Sequence, residues 1–159
     1  MLKSDFMKIG SDSAKENDVL TAFSKLVDDS LTDGVIDFAS ISAHQFMPFW
    51  KYFILYKHLP DEDDFIVSMF GVHVGELHGE DWTGKKISEL GIGKEAISEM
   101  IRLNKITMLD GKIIYASGAI NLDDDEYRTW HQMKVPFRHQ DGADGVLICM
   151  VSNWKDNLS

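Results

Sequence analysis

The chain has one cysteine, three prolines among 159 residues and a deficit of basic side chains. It also lacks any long apolar stretch, and each shortage excludes something. A lone thiol, Cys149, cannot form an internal disulfide, and it sits inside the apolar run Val146 to Val151; a reducing compartment and a buried, inert thiol are expected. Lys and Arg number 16 against 26 Asp and Glu, for a formal net charge of -10. The basic residues are scattered without forming a stripe, so neither nucleic acid nor an anionic membrane surface is an expected partner, because phosphate binding needs local positive charge. The apolar runs reach about six residues, against the roughly twenty needed to cross a bilayer. The opening MLKSDFMKIGSDSAKEN is interrupted by charges and offers no stretch of signal-peptide length. A soluble, cytoplasmic protein is expected.

What is present is enough apolar content, 44%, to bury one core in a chain of this length. Ser13-Ala14-Lys15-Glu16 has capping-box spacing, and Val19, Leu20, Phe23, Leu26 and Val27 follow at helical intervals, which predicts a helix over 14–28. Asp33-Gly34 breaks it, and a short helical or irregular connection follows to Met47. Tyr52 to Tyr56 and Phe65 to Phe70 are aromatic and β-branched runs parted by a polar hexapeptide, which predicts a hairpin. The glycine-rich stretch from Gly71 to Gly93 reads as short helices and loops. Ala96, Ile97, Met100, Ile101 and Leu103 predict a helix over 94–104, and three strands are expected at 107–120, 127–137 and 145–153. Two strands, helices, then three strands indicate an α+β fold around one antiparallel sheet. The strands are apolar on both faces, so something must cover the second face, and the N-terminal helix is the candidate.

The segment FIVSMFGVHVGELHGEDWTGKKISELG runs a strand into Gly71 and then presents Gly-Glu-Asp-Trp-Thr-Gly from Gly79 to Gly84. Together with Lys134-Val135-Pro136-Phe137 and Asp141-Gly142, this resembles the PAS-domain family found as small single-domain proteins in alphaproteobacteria. Val72 stands where that family usually has Thr, and Glu80 where it usually has a basic residue. The resemblance implies a PAS-like five-stranded antiparallel sheet with short helices on one face. It divides the chain into an N-terminal helical extension, 1–36, and a PAS-like domain, 37–159. It also implies a sensory or interaction role without catalysis, with an inner cavity for an unidentified small molecule and a signalling protein partner that carries the output.

The aromatic and imidazole groups expected to line such a cavity are Trp82, Tyr115, Trp130, His131 and His73. His73 and His78 are five residues apart, which does not put both rings on one helical face, so no metal is expected. Residues 94–104 contain no histidine for haem, and no cysteine-bearing segment suits a flavin photoadduct; no cofactor is expected. The acidic clusters Asp61 to Asp64 and Asp123 to Glu126 read as solvated loops. The reading from another class is a small cone-shaped α+β isomerase or dehydratase with His73, His78 or His131 as general base. The apolar stripe of the N-terminal helix further predicts a homodimer, because one stripe can cover its own sheet and meet a symmetry mate at its edge. Light scattering is expected to give a mass that rises with concentration toward two chains; a single-chain mass at high micromolar concentration contradicts it.

Overall fold

The computed structural model describes residues 8–10, 12–121 and 127–152, without the side chains of residues 8, 120, 121, 127 and 128. Mixed helices and strands surround one sheet. Strand β1 (Lys8–Ile9) precedes α1 (Asp12–Glu16) and α2 (Asp18–Ser30). Strands β2 (Leu31–Thr32) and β3 (Val35–Asp37) form a tight hairpin whose central Asp33 and Gly34 both take positive φ, as a two-residue loop requires. After α3 (Ala43–Phe46) and a 3-10 turn over Met47–Tyr52 come β4 (Phe53–Leu59) and β5 (Asp64–Phe70). The middle holds α4 (Val72–His78), a 3-10 turn at Ile87–Glu89 and α5 (Lys94–Asp110). The closing strands are β6 (Ile114–Asn121), β7 (Tyr127–Arg138) and β8 (Asp144–Ser152).

Spatially the order is β1-β6-β7-β8-β4-β5, and every neighbour along that path is antiparallel. β3 joins β7 in parallel through Ile36 opposite Phe137, beyond the point where β6 ends. The expected two strands, helical middle and three strands are therefore present, and β1, β2 and β3 add short strands that the sequence did not signal. β1, β2 and β3 thus belong to the same sheet as the later strands. The acidic stretch 123–126 lies outside the described residues.

Both faces of the sheet are covered, and strand alternation decides which residue meets which cover. On β8, Val146, Ile148 and Met150 join the core under α4 and α5, while Leu147, Cys149 and Val151 join the core under α2. We call these the inner and outer faces. The stripe of α2 is spent on its own sheet: Leu20, Phe23 and Val27 are fully buried there, and Phe23 packs against the rings of Phe46, Phe49 and Phe53. Each large side chain so buried gains roughly 1.5 to 3 kcal/mol. Strands β8 and β4 approach so closely that a Cβ on Gly145 would lie 1.9 Å from the Tyr56 carbonyl oxygen, which only glycine allows.

Two element boundaries differ from the sequence reading. The helix expected over 14–28 is interrupted at Asn17, whose side-chain oxygen accepts from the amides of Val19 and Leu20 at 2.9 and 3.1 Å and so starts α2 afresh. The helix expected to stop at Asn104 runs to Asp110 and ends on Gly111 at φ +63°. Its last turns bury Leu103, Asn104 and Thr107, and the two polar residues broke the apolar period that marks a helix. Residues 107–110, expected as strand, are consequently helical.

Candidate functional site

Between α5, α4 and the inner face of the sheet lies a cavity of about 30 Å³. Ile54, Ile148, Met100 and Met150 give it apolar walls, and the polar or amphipathic residues Tyr56, Trp130, Gln132 and Lys134 also line it. Period-two alternation puts Trp130, Gln132 and Lys134 of β7 on this one face. Tyr56 comes from β4, while Met100 and Leu103 come from α5. The volume admits about one or two waters, or the head group of a small molecule.

The polar atoms here are buried and under-used. Lys134 is 2% exposed, and its Nζ donates to Asn104 Oδ1 at 2.8 Å. Tyr56 Oη, Trp130 Nε1, Asn104 Nδ2 and Thr107 Oγ1 are buried with no hydrogen-bond partner. Buried polar groups are nearly always satisfied, so two on cavity-lining residues, Tyr56 and Trp130, with a third on Asn104, the partner of Lys134, mark the site out. Burial pulls the Lys134 amine down from 10.5 to about 7, against the opposing charge of Glu99. Burial likewise pushes the Tyr56 hydroxyl up, keeping it protonated. His78, also at the cavity, is held below its usual value mainly by burial; its Nδ1 donates to the Val74 carbonyl at 3.0 Å.

Trp82 reaches the cavity because the Gly79-to-Gly84 stretch holds it there. Glu80 accepts from the Trp82 indole N–H at 2.8 Å, and Asp81 accepts from both the amide and the hydroxyl of Thr83. Gly84, at φ +85°, then donates its amide to Val67, and the Val67 amide returns a bond to Lys85, so the stretch closes the outer edge of β5. The acidic residue at position 80 is thus used to orient an indole. A turn glycine and the Asp81 side-chain cap account for the remaining bonds of the stretch.

Of the residues singled out from the sequence, Trp82 and Trp130 line this cavity and the other three do not. Tyr115 belongs to the outer face, where its hydroxyl donates to Ser24 of α2 at 3.2 Å. His131 neighbours Trp130 on β7 and therefore points to the opposite face, with Nδ1 2.6 Å from Ser117 Oγ. His73 sits on α4 with its ring against Tyr52. These placements correct the expectation of one aromatic and imidazole cluster. Tyr56 and Lys134, on strands, and Asn104, which bonds to Lys134 from α5, were missed; for the first two the available signal was that polar residues on a strand covered on both faces must be buried. Among the described residues no group of three or more His, Cys, Asp and Glu is arranged to hold a metal ion, and no helix is long and apolar enough to cross a membrane.

No protein-family model matches the chain, and no curated protein matches it. Among solved structures it is similar to VqmA of Vibrio cholerae, a LuxR-type receptor, in the VqmA dimer without target DNA (TM-score 0.50, 15% identity). It is equally similar to VqmA in its complex with ligand and DNA (TM-score 0.50, 16% identity). Each match covers 70% of this chain and 51% of the other, so this chain spans about half the length of its neighbours. At this identity the likeness is one of fold.

Proposed function

We propose that the chain is a PAS-type sensory module that binds a small organic molecule in the inner cavity and signals through a protein partner, without catalysis and without contacting nucleic acid itself. The observation that carries this reading is an inner cavity with apolar walls lined by Tyr56, Trp130 and Lys134, two of which hold a polar atom, Tyr56 Oη and Trp130 Nε1, that is buried without a hydrogen-bond partner. An apolar pocket with a few convergent polar groups is the usual form of a small-molecule site. The two strands before the helical middle and three after it support the PAS assignment. VqmA, of similar fold, has been solved with a ligand, which supports the binding role. The output route follows from β7: Trp130 and Lys134 feel the cavity, while Met133 and Val135, between and beyond them, pack in the core under α2. A shift of β7 on binding is thereby passed to α2, the element we assign to partner contact.

Nuclear magnetic resonance of the tryptophan indoles tests the location. Titrating the protein with the small-molecule fraction of a cell extract is expected to shift the indole N–H signals of Trp82 and Trp130 and to leave that of the half-exposed Trp50 in place. A response confined to Trp50 would put binding elsewhere and refute the assignment.

A further inference from the structure

We infer that the inner cavity is built for a small carboxylic acid, bound as its carboxylate, with Lys134 Nζ as counter-ion and Tyr56 Oη and Trp130 Nε1 donating to its oxygens. This rests on the ligand-binding reading above and narrows it to a chemical class. The polar groups at the cavity that are left without a partner are weighted toward donation. An indole N–H only donates, an ammonium has three donors of which Asn104 takes one, and the Asn104 amide nitrogen also has no acceptor. A carboxylate brings about four acceptor sites and no donor, whereas a primary amide or an amine would set donors against donors.

Charge points the same way. Among the described ion pairs none includes Lys134, and Glu99, the acid whose charge acts on it, is engaged by Arg102 at 2.5 Å. A buried cation lacking a close anion is costly, and a carboxylate in the cavity would supply one. With a net charge of -10 the surface does not collect anions, so selection for an acid has to come from this interior lysine. The remaining walls suit an alkyl or aryl tail. About 30 Å³ holds the carboxylate head, and the tail gains room as the unbranched side chains of Met100 and Met150 turn aside.

The test uses propionate and benzoate against their primary amides, propanamide and benzamide, by titration calorimetry at pH 8 in two buffers of different ionisation heat. The acids are expected to bind wild type at least about ten-fold more tightly than the amides, with uptake of up to one proton as the ion pair recharges Lys134. Asn104 of α5 bonds to that amine and the charge of Glu99 of α5 acts on it, while Tyr56 of β4, Trp130 and Gln132 of β7 and His78 of α4 line the cavity with it. Lys134→Met is expected to abolish both the acid preference and the proton uptake. Tyr56→Phe, which removes one donor and keeps the ring, and Trp130→Phe, which removes the indole N–H and leaves a smaller ring, should weaken acid binding several-fold while the preference persists. Amides that bind as tightly as acids, or a preference that survives in Lys134→Met, would overturn the inference. If none of the four compounds binds while extract molecules still move the Trp82 and Trp130 indoles, the carboxylate assignment fails and the binding role stands. If those indoles answer to neither, both fail.

Discussion

Lys134→Met is expected to make the ligand-free protein more stable at pH 7, by about 2 kcal/mol or more, and to remove most of its stability gain between pH 7 and 9. The lysine is 2% exposed in an apolar core and its pKa falls from 10.5 to about 7, mainly through burial. Between those two values the unfolded chain holds a proton that the folded one has released, so stability rises with pH across that window. One such proton is worth about 1.4 kcal/mol per pH unit, or roughly 2 to 3 kcal/mol from pH 7 to 9. Other buried groups act outside this range. His78, His131 and His139 are lowered from 6.5 by burial and contribute below pH 7. Cys149 and Tyr56 are raised by burial from 9.0 and 10.0, so they act above pH 9, and in the opposite direction. Methionine keeps the length of the stem and removes the charge. It leaves Asn104 Oδ1 without its donor, a loss of about 1 to 3 kcal/mol that keeps the net gain below the full burial penalty. Urea midpoints at pH 7, 8 and 9 decide it: a rising series for wild type and a flat one for the variant are expected, and parallel series would contradict a buried, titrating lysine.

A residue whose removal is expected to stabilise the fold and whose proposed role is in binding would be an instance of stability given up for function. The same cavity explains why sequence reasoning found the fold more readily than the site. Apolar periodicity at Leu20, Phe23 and Val27 and the nearly continuous apolar runs in β4, β5 and β8 were sufficient to infer a sheet covered on both faces, with the N-terminal helix over one of them. The site is written in the residues that interrupt those patterns. Asn104 reads as the last residue of a helix and Thr107 as the first of a strand, yet both are buried on one continuous helix. Lys134 read as part of a family's closing pattern, when its decisive property is that its strand has no solvent face. Tyr115 and His131 were misassigned because side-chain direction depends on strand parity and register. The spacing from Trp130 already placed His131 on the other face, but only the pairing of Tyr115 with Met133 fixes where the tyrosine points.

Filling the cavity from the helix side separates binding from every other role for these residues. Met100 lies half-buried on α5 and lines the cavity, so Met100→Trp adds bulk where about 30 Å³ is free and where the exposed side of the helix can yield. Overpacking of this kind costs roughly 1 to 3 kcal/mol, within the 5 to 15 kcal/mol stability of an ordinary domain, so the variant is expected to stay folded by circular dichroism. The direct measurement is ligand capture: wild-type and Met100→Trp proteins are incubated with the small-molecule fraction of a cell extract, separated by gel filtration and denatured, and the released molecules are identified by mass spectrometry. Wild type is expected to release a small molecule that Met100→Trp does not retain. Equal release from both folded proteins, or none from wild type, would contradict a ligand site in the inner cavity.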